Sequence, residues 1–117
     1  MTDPQIRFTR AGDGVRIAYA STGSGPALVR AAHWLGCLDF DGQTPVWQPC
    51  IDTLASHCRL TRYDSRGCGL SDREVDSFTL EDMVGDLESV VDAAQLDRFA
   101  LLGMSQGGAA EIGRAHV

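Results

Sequence analysis

The chain has 117 residues, 44% of them apolar, with a net charge of −6 and a sequence pI near 4.8. That length suits one domain with a modest core, and the apolar fraction separates the chain from disordered ones. The acidic balance argues against nucleic acid or an anionic membrane as partner, no apolar run reaches bilayer-spanning length, and residues 1–5 lack a signal-peptide pattern, so a cytoplasmic protein is expected.

Residues 6–9 and 15–21 read as two strands around Ala11-Gly12-Asp13-Gly14, whose Asp-Gly favours a hairpin turn. A loop, Thr22-Gly23-Ser24-Gly25-Pro26, leads into residues 27–32, a short apolar run suited to a buried strand. An acidic, irregular stretch follows His33-Trp34-Leu35-Gly36 and ends at Pro45. Residues 46–57 then predict a helix, with Trp47, Ile51, Leu54 and Ala55 at helical spacing and Pro49 in the first turn, where its missing N–H costs little.

Residues 58–63 predict a further strand, followed by a Gly-punctuated loop to Asp76. The strongest helical pattern covers residues 80–94, where Leu80, Met83, Val84, Leu87, Val90, Val91 and Ala94 form one stripe. Thr79 and Asp82 make a capping box at its start, and Phe78 could staple onto Met83. Residues 99–103 give the fifth strand, and a helix is expected from Gln106. Strands alternating with helices imply a mostly parallel sheet covered on both faces, an α/β fold.

The four cysteines, Cys37, Cys50, Cys58 and Cys68, form no C-x-x-C pair, and an unexported chain has little use for a disulfide framework. A zinc site drawn from His33, Cys37, His57 and Cys58 would use adjacent ligands in no recognised spacing. Reduced thiols, no metal and no cofactor are expected.

The chemistry-bearing feature is Gly103-Met104-Ser105-Gln106-Gly107. Composition alone gives G-x-S-x-G in roughly one such Gly-rich chain in ten, so the pattern needs its context. Here it sits where the apolar run Phe99-Ala100-Leu101-Leu102 ends and a helix should begin, the setting of a nucleophile elbow. Glycines at 103 and 107 would relieve collisions across a strained turn. Ser105 would stand exposed at the carboxyl end of the sheet, with the Gln106 N–H as one oxyanion donor.

The chain resembles the α/β-hydrolase superfamily over roughly residues 5 to 110. Besides the serine motif, Asp64-Ser65-Arg66-Gly67-Cys68-Gly69-Leu70-Ser71 matches the family's D-x-R-G-x-G-x-S loop after the fourth strand. The resemblance implies that this loop is structural, braced by the arginine, and that Asp64 and Arg66 are not catalytic. It also implies that His33-Trp34 occupies the oxyanion loop, usually His-Gly, where the N–H of Trp34 or Leu35 supplies the second donor. His33 there braces the loop.

His33-Trp34, Pro45-Val46-Trp47, residues 62–72 and residues 101–108 further resemble a bacterial subgroup often fused to a nucleotide cyclase or a helix-turn-helix regulator. The resemblance implies two functions: a serine hydrolase acting on esters or related acyl compounds, or a hydrolase-like domain that senses a small ligand for a fused C-terminal domain.

A serine nucleophile needs a base and usually an acid, which follow it in this fold in the order serine, acid, histidine. Only Glu111 and His116 follow Ser105 as candidates. A helix rising 1.5 Å per residue would carry His116 about 16 Å away. His57 ends a helix at the opposite side of the sheet. The expectation is a truncated domain over residues 1–111, five strands of the family's eight, inactive alone and with residues 99–102 as an aggregation-prone edge. Residues 112–117, Ile-Gly-Arg-Ala-His-Val, back-translate to a sequencing-library adaptor and are expected to be a non-native tail.

Overall fold

The computed structural model describes residues 5–33, 37–38, 43–103 and 108. Five strands, β1 (Arg7–Arg10), β2 (Arg16–Thr22), β3 (Ala27–Arg30), β4 (Arg59–Tyr63) and β5 (Ala100–Leu102), alternate with two helices, α1 (Gln48–His57) and α2 (Leu80–Ala93), in the expected order. The strands form one sheet in the order β1-β2-β4-β3-β5. β1 pairs antiparallel with β2, β2 antiparallel with β4, and β3 lies parallel to both β4 and β5. Only β2 therefore runs against the rest of these strands.

The hairpin between β1 and β2 closes through Ala11 and Val15. The Ala11 N–H donates to the Val15 carbonyl at 2.9 Å, and the Gly14 N–H to the Ala11 carbonyl at 2.9 Å. Gly14 at φ 90° takes the left-handed position of a three-residue loop, rather than the two-residue turn that Asp-Gly most often makes.

α1 begins at Gln48, two residues later than its apolar pattern suggests. Pro49 cannot supply an N–H, so it must sit in the first turn, with Trp47 as N-cap. Val46 is left 71% exposed ahead of the helix. α2 begins where its capping box predicts: the Thr79 hydroxyl accepts from the Asp82 N–H, and the Asp82 carboxylate accepts from the Thr79 N–H at 3.0 Å.

One face of the sheet packs on α2, burying Ile17, Tyr19, Val29 and Tyr63 against Leu87, Val90, Val91 and Ala94. The predicted stripe is correct in its centre and shifted at its start. Leu80 is 48% exposed, whereas Asp86 is buried. On the opposite face Ala18 and Ala20 pack with Leu38, and the Arg30 guanidinium lies 5.7 Å from the Trp47 ring just ahead of α1. The two helices thus cover opposite faces. Arg30 and Arg62 are both buried on the α1 side, a feature that hydropathy does not reveal. Among the described residues β5 has a strand neighbour only at β3.

Candidate active site

The chain leaves β3 toward α1 on one face and leaves β4 toward α2 on the other. A crevice forms between carboxyl strand ends wherever successive connections part in this way, and ligands of open α/β sheets bind there. Three parts of the chain meet at this place: residues 31–33 with Leu38 after β3, residues 64–72 after β4, and Gly103 after β5.

β5 is tied to β3 up to its last residue. The register pairs Arg30 with Leu102, and the Ala31 N–H donates to the Leu102 carbonyl at 2.8 Å. Gly103, half-buried and the first residue of the G-x-S-x-G pattern, therefore lies beside the segment that carries His33. Ser105, Gln106 and Gly107, like Trp34 and Leu35, lie outside the described residues. His33 is 4% exposed, its ring 5.3 Å from that of Trp47 and inclined at 41°. His57, by contrast, ends α1 next to the amino end of β4, beside the Gly23 to Gly25 loop. Of these two imidazoles only His33 is near the crevice.

The loop after β4 is held from both sides. The Asp64 N–H donates to the Ala18 carbonyl at 2.9 Å, and the Ser71 hydroxyl bridges the strands by donating to the Asp64 carbonyl at 2.7 Å and accepting from the Ala18 N–H at 2.9 Å. Asp72 closes the loop on β2, accepting from the Arg16 N–H and donating to the Arg16 carbonyl, each at 2.9 Å. The Asp64 carboxylate, 1% exposed, accepts from two segments. Oδ1 takes the Leu38 N–H at 2.9 Å and Oδ2 the Leu70 N–H at 2.8 Å. Gly69, at φ 53°, lies so close that a Cβ would overlap this carboxylate.

Arg66 is the loop's inner brace and is 1% exposed. Its Nε and Nη2 donate to Asp86 Oδ2 and Oδ1 at 2.8 and 2.7 Å, a bidentate pair. Nη1 and Nη2 also donate to the Asp13 carboxylate at 2.8 and 3.2 Å, and Nη1 to the Ser77 carbonyl at 3.1 Å. The hydrogen bonds it donates to Asp86, then those to Asp13, hold the guanidinium firmly protonated against its burial. Burial pushes the Asp86 carboxyl up, and the guanidinium opposes that. Asp86 spends both carboxylate oxygens on Arg66, and Arg66 spends its three nitrogens on Asp86, Asp13 and the Ser77 carbonyl, the arrangement of a brace. Asp13 and Asp86 were not among the residues expected to matter. Asp86 did carry a signal: it stands at i+3 from Met83 and i−4 from Val90, a carboxylate on an apolar face that needs a buried cation.

Residues 34–110 match the family described as alpha/beta hydrolase fold, and the chain belongs to that family. The 3-oxoadipate enol-lactonase 1 of Acinetobacter baylyi is 35% identical over 63 residues, which is 54% of this chain and 23% of that protein. An esterase from Rhodococcus superposes with a TM-score of 0.79 at 30% identity, over 95% of this chain and 40% of its own. An epoxide hydrolase from Vigna radiata superposes with a TM-score of 0.80 at 20% identity, over 97% of this chain and 36% of its own, a likeness of fold alone. The chain thus spans about a quarter of the length of the curated relative and two fifths or less of these two structures.

Proposed function

We propose that the full-length protein is a serine hydrolase of esters or related acyl compounds, with Ser105 as its nucleophile. The observation that carries this reading is the placement of Gly103. Gly103, the first residue of the G-x-S-x-G pattern, follows directly on the carboxyl end of β5, whose Leu102 carbonyl accepts from the Ala31 N–H at the β3 exit, where the fold opens its crevice. A lactonase and an esterase among the similar proteins support a carbonyl substrate with an oxygen leaving group.

In this mechanism Ser105 Oγ attacks the carbonyl carbon as a general base takes its proton. The tetrahedral oxyanion is held by the N–H of Gln106 and that of Trp34 or Leu35. Its collapse expels the alcohol, which receives the proton, and water then hydrolyses the acyl-serine. His33, packed on Trp47, braces the loop. The general base and its acid are proposed for the part of the relatives' length that this chain, covering 40% or less of it, does not span. The relatives' greater length supports this assignment.

The test is labelling of the full-length protein by a fluorophosphonate probe, followed by turnover of short-chain p-nitrophenyl esters. Labelling should vanish in Ser105→Ala, and labelling that survives would sink the assignment. Labelling at Ser105 without turnover of any ester would favour a ligand-sensing domain instead.

A further inference from the structure

We propose that the chain carries a second binding site, a basic cavity at the end of the sheet away from the crevice, which takes the phosphate or carboxylate group of a small anionic molecule. The cavity measures about 400 Å3, within the range of small-molecule sites. Side chains two positions apart on a strand share one face of the sheet. Tyr19 and Tyr63 pack on the α2 side, so Ser21, two beyond Tyr19, and Arg59, four before Tyr63, stand on that side too. Arg7 joins them, paired with Tyr19 across β1 and β2. Arg7, Tyr19, Ser21 and Arg59 line the cavity together with Gln5 and Gln95. Arg59 opens β4 and the crevice follows Tyr63, so the length of that strand, about 13 Å, separates the two places.

The donors here have little else to bind. Among the described residues the Arg59 side chain makes no ion pair or hydrogen bond, and Arg7 has one long bond, 3.5 Å from Nη2 to Gln5 Oε1. None of the described residues lining the cavity is acidic, in a chain whose net charge is −6. Tyr19 is 8% exposed, yet its hydroxyl has no hydrogen-bond partner among the described residues. A buried tyrosine hydroxyl ordinarily finds one, and a ligand oxygen in the cavity supplies it. An oxyanion answers all three side chains, because it offers acceptors only and matches the guanidinium fork.

The carbonyl end of α2 opposes an anion nearby, but only with partial charge. Two of its carbonyls are already engaged: the Leu96 N–H donates to Val91 and the Gln95 N–H to Asp92, each at 3.1 Å. This closure sets Gln95 at φ 59°, the left-handed position that glycine usually holds. Glutamine there brings to the cavity wall an amide that glycine lacks. The acidic net charge works against approach from a distance, yet salt screens it beyond about 8 Å. At contact, two whole positive charges decide.

The test titrates the full-length protein, isotopically labelled at arginine, with inorganic phosphate and separately with citrate at constant ionic strength. The Nε–H resonances of Arg7 and Arg59 should shift along one saturating curve, while that of Arg10, on the other face of β1, stays in place. Arg7→Gln and Arg59→Gln should each weaken binding about tenfold and Tyr19→Phe about threefold, with Arg10→Gln without effect. Tighter binding of phosphate assigns the site to a phosphorylated molecule, and tighter binding of citrate to a carboxylate. Shifts that saturate with neither probe, or that Arg10 shares, would overturn the site. Arginine variants that unfold at the wild-type midpoint and still bind with wild-type affinity would overturn it equally.

Discussion

Arg66 and Asp86 face each other through two parallel hydrogen bonds of 2.8 and 2.7 Å, and both side chains are almost wholly buried. They come from different elements, the loop after β4 and the middle of α2. The pair therefore fixes the crevice wall to the helix that covers the sheet. Replacing Asp86 takes away the buried bidentate partner and leaves the guanidinium only the part-exposed Asp13 and the Ser77 carbonyl, whereas replacing both partners removes the desolvation cost as well as the attraction. Asp86→Ala should lower unfolding stability by about 3–5 kcal/mol in urea titrations. The double replacement Arg66→Met with Asp86→Leu should cost clearly less than Asp86→Ala alone. A double variant that loses the sum of both singles would show that the pair is not coupled.

Asp13, on the hairpin, reaches Arg66 from the solvent side, and its hydrogen bond with Arg66 holds its carboxyl below the usual 3.8. Hydrogen bonds from Ser77 and the Thr79 N–H lower Asp82 likewise. A lowered folded-state pKa means that each contribution is complete above the ordinary value and fades as pH falls through the folded one. Asp86 has the opposite sign: raised by burial, it favours folding at low pH and loses that contribution as pH rises through its folded value. The Asp13 contribution is isolated by the stability gap between wild type and Asp13→Asn. That gap should hold between pH 5 and 7 and close on acidification below about 3.8. A gap that stays unchanged as the pH is taken from 5 to well below about 3.8 would contradict the assignment.

Leu87 is fully buried at the centre of the cluster formed by Ile17, Tyr19, Val29 and Tyr63. Leu87→Ala should cost about 2–5 kcal/mol, through lost transfer energy and a residual cavity. The midpoint of urea unfolding should move with little change in slope. A loss under 1 kcal/mol would mean that the sheet and α2 close the gap.

Thr79 supplies one half of the α2 capping box, and Asp82, which also accepts from the Ser77 hydroxyl, the other half. Thr79→Ala should cost about 1 kcal/mol, and Thr79→Asp should restore most of it, because a carboxylate also accepts from the Asp82 backbone N–H. Equal stability of the alanine and aspartate variants would show that the cap is not what the position provides.

Local chemistry explains which parts of this architecture are legible without coordinates. The α2 start is written in Thr79 and Asp82, and the α1 start in Pro49, because capping and proline geometry act within four residues. The sheet order follows less directly, since β4 enters between strands made earlier. The two-acceptor role of Asp64 depends on Leu38, 26 positions away, and the Arg66 brace on Asp86, 20 positions away. No local window contains both partners. The loop's structural character was accessible only by resemblance, and contacts with Asp13, Asp86 and Leu38 now give it a physical basis. The proposed oxyanion positions Trp34 and Leu35, and the proposed elbow positions Ser105, Gln106 and Gly107, lie outside the described residues; His33 and Leu38 flank the first in sequence, and Gly103 precedes the second.

The position of β4 also governs how the protein is made. β2 and β3 leave the ribosome before it, yet each must take β4 as its neighbour, on opposite edges of that one strand. Until Arg59–Tyr63 emerges, the nascent hairpin and β3 are two separate pieces with open flanks. Ser71 and Asp72 must follow before β2 can be stitched to the loop after β4. β4 therefore joins the sheet by insertion, and β5 afterwards by extension at β3. A pause in translation before β4 would expose two unfilled strand edges at once, the moment at which a chaperone has most to protect.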